Sequence, residues 1–448
     1  METLNNFISQ INALAWGPPM LIILGGTGLF LTAGLAFMPW RKIGFATILT
    51  FGRTRNKAKG DVKPFNALMT ALSATVGTGN IAGVATAITL GGPGAIFYMW
   101  VIALFGMATK YAEAVCAVKY RETDSTGKFI GGPMYYLKNG VGGKLGSVLG
   151  IIFAVFGAVA AFGVGNGIQI NSMAAVVNSS FGVPPIYTGI IVAALIAFVI
   201  IGGIKRISEI AGKLIPIMIV LYISAGLAVI LVNLQQVPDA FALILKHAFT
   251  PAAATGGFAG AAVAAAIRFG VARGVFSNEA GLGSAAIAHA PAKTEEPVEQ
   301  GMIAMLGVFI DTIIVCTITA LCILTTGAWT SGETGATLTS QAFAQTFLGG
   351  NYVVAIALVV FAFTTIIGWS YYGERCWQYL FKAKSIVVYR VIWVIAIVWF
   401  SIQKVDFVWN LSDTFAGLMA LPNLVGLIML SPIIFKLTKE YFNRSKEV

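Results

Sequence analysis

The feature that most limits what this chain can become is a succession of eleven apolar stretches, at 17–37, 67–88, 94–117, 147–175, 186–203, 213–233, 256–290, 299–327, 350–374, 386–402 and 409–435. A bilayer core about 30 Å thick is crossed by about 20 mostly apolar helical residues, so each stretch is a candidate span. Charge is correspondingly scarce. Of the 448 residues 10% are charged and 57% hydrophobic, with a mean hydropathy of +0.84, whereas soluble domains carry about 25% charged residues. These values exclude a water-soluble fold, a disordered chain and a collagen-like one. They predict an all-α integral membrane protein with 11 transmembrane helices.

The net charge of +11 is distributed as a membrane topology requires, not as a nucleic-acid-binding face. Lys and Arg in short loops stay on the cytoplasmic side. Alternate loops hold seven basic residues (38–66), five (118–146), three (204–213), one (291–298) and three (375–385), with four more after residue 435. The intervening loops hold only Lys246 and Lys404. The N-terminus is therefore expected outside the cell membrane and the C-terminus in the cytoplasm, with a lipid bilayer and no nucleic acid as partner. The first stretch reads as a retained span and not as a cleavable signal peptide, because its basic residues, Arg41 and Lys42, follow it.

Four scattered cysteines (Cys116, Cys316, Cys322, Cys376) form no CxxC pair, so neither a disulfide framework nor a zinc site follows. Two histidines, His247 and His289, flank spans and read as surface residues. No carboxylate, His or Cys group is spaced for catalysis, and an enzyme is not expected. The information lies where helices are interrupted. Unpaired backbone costs several kcal/mol per group in hydrocarbon, so a broken helix is tolerated only inside protein or beside a cavity. Ser73–Gly83 places small polar residues and three glycines in mid-span, and Arg273–Gly283 does the same inside the long 256–290 segment. Close packing of small residues explains the glycines but not the Asn, Glu, Arg and Thr beside them.

With the first span set aside, ten remain, and the interrupted ones open each set of five. A unit with an odd number of spans inserts upside down on repetition, the inverted arrangement of many secondary transporters, in which half-helix ends meet the substrate at mid-membrane. Thr78, Gly79 and Asn80 then offer N–H donors to a carboxylate. On the third span of this set, Gly165, Asn166, Gln169, Ser172 and Met173 recur at three- and four-residue spacing. Such a face meets either a cavity or a neighbouring helix. Gln169 is the expected side-chain contact, because a buried Gln needs a partner.

Gly91-Gly92-Pro93-Gly94-Ala95-Ile96-Phe97-Tyr98-Met99-Trp100 resembles the diagnostic run of the alanine or glycine:cation symporter family, a sodium-coupled branch of the leucine-transporter (LeuT) type fold, with Tyr98 where the family usually has Trp. The runs Thr75–Gly83 and Gly274–Gly283 also look like family motifs, and the resemblance covers nearly the whole chain. It implies a LeuT-type 5+5 inverted repeat with one extra N-terminal helix. Residues 1–66 would be that helix and a basic loop, 67–233 the first five-helix repeat, 234–255 an extracellular connector, 256–435 the second repeat and 436–448 a basic tail. It further implies sodium-coupled uptake of a small neutral amino acid such as alanine or glycine. The substrate carboxylate would lie near Thr78 and Gly79, and its ammonium against the sixth core helix at Gly274, Val275, Phe276, Ser277 and Asn278.

The same resemblance assigns sodium to Thr364 and Thr365, with the carbonyl of Phe361, meeting carbonyls near Ser73 and Val76. Hydroxyl and carbonyl oxygens are the hard ligands such an ion takes; the alternative is that these threonines bond back to their own helix. Trp369, one turn beyond Thr365, either caps the substrate side chain or packs at an interface. A second cation site draws on Thr75, Asn80, Asn278 and Asp311, although Asp311 alternatively pairs with Arg268 or Arg273. Lys110 and Glu113 read as a solvated pair, and Asp413 as a gate acid or a plain interfacial aspartate. No cofactor is expected beyond the co-transported sodium ion, and the oligomeric state stays open, a monomer included. The rival readings are a proton-coupled transporter of the same fold, with Glu279 or Asp311 as carrier, and a channel.

Overall fold

A computed structural model describes residues 2–52, 58–250 and 259–444. Part of the connector at 251–255, the first residues of the 256–290 segment and the basic residues Arg53, Arg55, Lys57 and Lys446 lie outside the described residues. In chain order, leaving aside the shorter helices Met38–Arg41, Ile43–Phe51 and Pro133–Tyr136, the helices are α1 (Glu2–Ala15), α2 (Pro18–Gly34), α3 (Pro64–Thr75), α4 (Gly79–Gly91), α5 (Ala95–Lys119), α6 (Gly143–Phe181), α7 (Pro185–Ile200) and α8 (Gly203–Val232). They continue as α9 (Val237–Phe249), α10 (Ala259–Asn278), α11 (Ser284–His289), α12 (Pro297–Thr325), α13 (Gly335–Ala344), α14 (Gly350–Phe381), α15 (Ile386–Phe400) and α16 (Val405–Arg444). Several open on proline, whose missing N–H has no acceptor in a first turn in any case.

Among the described residues, eight helices are long and apolar enough to cross a membrane, and α3 with α4, bent by 53° at their junction, make a ninth. The eleven stretches of the sequence are reached only by adding α7, apolar but 16 residues long, and the pair α10 and α11, which a non-helical turn separates. Helix α5 lies at the centre and is largely buried, whereas α8 and the segment carrying α15 are largely exposed. The outer helices accordingly present Ile190, Leu195, Ile217, Leu221, Val391 and Ile395 outward. An apolar surface of this extent suits lipid, not water.

The family-like run at 91–100 makes the tight turn from α4 into α5. A side chain at Gly94 would strike the backbone of His247 at 2.4 Å, so α9 closes directly over this turn. Tyr98 donates to the carbonyl of Ala248 at 2.9 Å, which anchors α9 from the side of α5.

The face carrying the basic loops holds the extended structure found among the described residues, a short hairpin and an isolated parallel bridge between Val62 and Ala292. β1 (Glu122–Thr123) pairs antiparallel with β2 (Phe129–Ile130), in the register Glu122 to Ile130. Just before β1, Arg121 spreads its guanidinium over four carbonyls, those of Lys59, Ala290, Ala292 and Thr294, at 2.7 to 3.1 Å. Two corrections follow at this end of the molecule. Lys110 and Glu113 are buried, not a solvated pair, and His289 is buried against Gln300, its Nδ1 2.7 Å from the amide nitrogen.

Candidate functional site

The first interruption is short. Helix α3 ends at Thr75, Val76 takes an extended conformation, and α4 restarts at Gly79 as a π-turn over Gly79–Gly83. The donors and acceptors freed here are met by side chains, as buried backbone requires. Asn80 Oδ1 accepts from Gly77 N at 2.9 Å and Gln169 Oε1 from Thr78 N at 3.3 Å, while Gln169 Nε2 donates to Val164 O at 3.0 Å. Val164 sits in a second π-turn, Ala161–Gly167 of α6. Such turns release carbonyls from the regular ladder and are frequent at functional sites. The hydroxyl of Thr78 is fully buried and has no hydrogen-bond partner, so an unmet polar group stands at the restart of α4.

The second interruption occupies the C-terminal half of the Arg273–Gly283 stretch. Residues 274–278 remain helical to the end of α10, and the chain turns at 279–283 before α11. The turn contains three residues with left-handed backbone, Gly281 and Gly283 at φ +94 and +80 and, unusually, Glu279 at φ +56. The last backbone bond onto α10 runs from Glu279 N to Val275 O at 2.8 Å, so the carbonyls of Phe276, Ser277 and Asn278 lie beyond the helical ladder. The turn is clamped from α5, where Glu113 Oε1 accepts from Gly281 N and Gly283 N, each at 3.0 Å. From α16, Asn423 donates to the same carboxylate at 2.8 Å and to Gly281 O at 2.9 Å, and Tyr136 donates to Asn423.

The two interruptions face each other. A side chain at Gly79 would meet Ser277 Cα at 3.2 Å and Phe276 at 3.3 Å. Asp311, in a third π-turn at Phe309–Cys316 of α12, binds both sides: Oδ1 accepts from Asn80 Nδ2 at 2.7 Å, Oδ2 from Ser277 Oγ at 2.7 Å and from Thr312 Oγ1 at 2.8 Å. Asn278 Nδ2 reaches Thr312 Oγ1 at 3.1 Å. The alternative pairing of Asp311 with Arg268 or Arg273 is not formed, since Arg273 pairs with Asp413 at 2.8 Å.

Helix α14 closes the third side with oxygens. Thr364 Oγ1 and Thr365 Oγ1 both donate to Phe361 O, at 2.9 and 3.0 Å, and Thr365 Oγ1 lies 3.4 Å from Val76 O across the gap. Both threonines do bond back to their own helix, which directs their protons away and leaves lone pairs for a cation. Ser73 likewise donates to Thr70 O at 2.7 Å. The helices touch here, for a side chain at Gly368 would meet Ser73 Oγ at 2.8 Å and one at Gly77 would meet Thr365 Oγ1 at 2.5 Å. A set of hydroxyl and carbonyl oxygens with no carboxylate suits a hard monovalent ion. No cluster of three or more His, Cys, Asp or Glu stands ready for another metal among the described residues.

Other expected site residues are placed differently. Gly274 faces α5, where a side chain would strike Ile102 at 2.7 Å, and Phe276 packs against Trp409 in a tilted pair with ring centroids 5.2 Å apart. Gly165 is closed by Trp369, whose Cβ would lie 1.9 Å from an added Cβ. Both polar ends of Asn80 are engaged, and Thr75 Oγ1 bonds back to Ala71 O and Leu72 O at 3.3 Å. Trp369 donates its indole N–H to Glu279 at 2.8 Å. Residues that sequence reasoning did not assign to the site are Glu113, Glu279 as a brace, Tyr136 and Asn423. The available signal was a carboxylate or amide within an apolar span, which seldom stays unpartnered.

The chain is similar to known proteins over its whole length. Residues 1–448 match the sodium:alanine symporter family. The sodium/alanine symporter AgcS of Methanococcus maripaludis is 49% identical over 442 residues, covering 97% of both chains. The probable sodium/glutamine symporter GlnT of Bacillus subtilis is 38% identical over 99% of this chain and 92% of its own. Among solved structures, MhsT in complex with L-phenylalanine superposes with a TM-score of 0.59 at 14% identity, over 86% of this chain and 99% of that one, a likeness of fold. On this evidence of sequence and fold together, the chain belongs to the sodium:alanine symporter family, whose members are transporters and not enzymes.

Proposed function

We propose that this protein couples the inward movement of sodium to uptake of a small neutral amino acid, such as alanine or glycine, by alternating access. The observation that carries the reading is the meeting of two interrupted helices, at 76–78 and 279–283, beside the hydroxyl pair Thr364 and Thr365. Sodium is held by Thr364, Thr365 and the carbonyls of Phe361 and Val76, with Ser73 beside them. The amino-acid carboxylate is received by Thr78 and the first N–H groups of α4 at Gly79. Its ammonium is received by the free carbonyls at the end of α10, with Gln169 and Trp369 shaping the space between. Thr75, Asn80 and Asp311 are the candidates for a second cation site.

Eleven spans in an inverted 5+5 repeat after an extra N-terminal helix, in the cell membrane with the N-terminus outside, complete the reading. The basic loops, sealed together by Arg121, are then cytoplasmic. Two relatives support an amino-acid cargo driven by sodium, one named for alanine and one, more distant, for glutamine. The driving force suffices: one charge crossing 100 mV supplies about 2.3 kcal/mol, enough for roughly 50-fold accumulation.

The test is uptake of labelled alanine by the purified protein in liposomes. Uptake should need an inward sodium gradient, vanish in choline and be competed by glycine; uptake indifferent to sodium would overturn the reading. A proton-driven cycle is the second reading. It is favoured by the buried carboxylates Glu279 and Asp311 and by a 35% identical relative named a putative sodium/proton-dependent alanine carrier. It predicts uptake in choline driven by a pH gradient alone.

A further inference from the structure

Glu279 stands in the second interruption, and the sodium-coupled cycle proposed above gives it no role. Its backbone is left-handed at φ +56, a conformation that disfavours a side chain, and it is 1% exposed. Geometry alone does not call for an acid here, since glycine adopts such angles freely and two glycines already serve the same turn. What distinguishes the residue is its carboxylate. Oε2 accepts from Ser284 Oγ, the first residue of α11, at 2.5 Å, and Oε1 accepts from the indole N–H of Trp369 on α14 at 2.8 Å. The acid thus joins the turn to its own second half-helix and to the helix that carries the sodium oxygens.

Trp369 is the other half of the device. It follows Thr365 by four residues, one turn along the same face of α14. It is 1% exposed and packed so closely on Gly165 that no Cβ fits between them. A ring held this way has little freedom of its own, and displacement of α14 is passed to whatever its N–H grips.

We propose that Glu279 is a positioning residue that links occupancy of the Thr364 and Thr365 oxygens to the substrate-facing end of α10. Sodium drawing Thr365 and Val76 together sets the place of α14. The bond from Trp369 to Glu279 sets the turn at 279–283, and with it the carbonyls of Phe276, Ser277 and Asn278. Removing this bond uncouples the two cargoes without removing either site. The proposal rests on the sodium reading of α14 given above.

Coupling of this kind is measurable as a ratio, and the ratio is the same whichever ligand is varied. The full-length purified protein is titrated with alanine in choline and in saturating sodium, and the two dissociation constants are compared. Wild type should show a ratio of about 10 or more. Glu279→Ala and Trp369→Phe, which remove acceptor and donor respectively, should each bring it close to one. Glu279→Gln, which keeps an oxygen for the indole, should stay within about threefold of wild type. The double variant Glu279→Ala/Trp369→Phe should lose no more than either single change, because both break one bond.

An unchanged ratio in Trp369→Phe, or losses that multiply in the double variant, would overturn the proposal. Trp369→Phe leaves the strained turn untouched, so it decides the matter even where Glu279→Ala fails to fold. A wild-type ratio of one would instead reject the sodium reading itself.

Discussion

Arg273 and Asp413 grip one another through two parallel bonds, Nη2 to Oδ2 at 2.8 Å and Nη1 to Oδ1 at 3.3 Å, with each side chain only 11% exposed. The guanidinium also lies 4.6 Å from the Trp409 ring centroid and 5.6 Å from that of Phe276. Arg273 is on α10, less than two turns before the second interruption, and Asp413 is on α16, whose backbone at the same residue accepts from Trp16 Nε1 at 2.8 Å. The pair therefore ties a half-helix of the candidate site to the flank where the N-terminal helix packs. Removing one partner strands a nearly buried charge, at a cost of about 3 kcal/mol. Asp413→Ala should lower the unfolding temperature and raise the alanine concentration for half-maximal uptake. The exchange Arg273→Asp with Asp413→Arg should recover part of both, which thermal unfolding and uptake curves will show.

Sequence reasoning located the first interruption because three glycines and two threonines in mid-span have no other economical explanation. For the second it marks only the stretch Arg273–Gly283, in which Gly274, Gly281 and Gly283 look alike. In fact Gly274 is a contact residue against Met99 and Ile102, and the break is made by Glu279 with Gly281 and Gly283. Glycine spacing does not say which glycine faces a neighbouring helix and which faces a turn. The clamp of Glu113 and Asn423, 310 residues apart in sequence, was illegible for a different reason. Their pairing depends on how α5 and α16 pack, and no local pattern carries that. Lys110 and Glu113 show the same limit, since three-residue spacing gives a shared helix face but not whether that face meets water.

Thr365 offers the cleanest test of the cation cradle. Its hydroxyl hydrogen-bonds to Phe361 O within α14 and to Val76 O across the gap, so its loss costs the fold about 1 kcal/mol. Thr365→Ala should therefore purify with near-normal thermal stability yet lose sodium-dependent uptake, whereas Thr365→Ser keeps the oxygen and should retain it. Uptake against sodium concentration, from zero to several hundred millimolar, checks both. A Thr365→Ala protein with unchanged sodium affinity removes this residue from the site.

Gly165 should prove intolerant of any side chain. An added Cβ would lie 1.9 Å from Trp369 Cβ and 2.3 Å from its Cγ, a clash with the stem of the ring and not with a movable tip. Overpacking of this kind costs about 1–3 kcal/mol. It also pushes the indole away from α6. Gly165→Ala should lower the unfolding temperature and reduce alanine uptake severalfold. Trp369→Phe, a smaller ring on the same stem, should relieve only part of the thermal loss, because the clash begins at Cβ.

Glu113 should separate charge from hydrogen bonding in the clamp. One of its oxygens accepts from Gly281 N, Gly283 N and Asn423 Nδ2, all buried. Glu113→Ala leaves those three donors without their acceptor, and at about 1–3 kcal/mol for each unmet group the protein should be severely destabilised or fail to fold. Glu113→Gln preserves one carbonyl oxygen of the same reach and should fold. Its amide cannot be ionised, so if the clamp works by hydrogen bonding alone, Glu113→Gln retains uptake within about twofold. If the negative charge itself matters, as the buried Lys110 three residues before it suggests, uptake falls while the unfolding temperature holds. Reading both quantities on the same preparation distinguishes the two, and Asn423→Ala, which removes one donor and not the acceptor, should show the milder thermal loss.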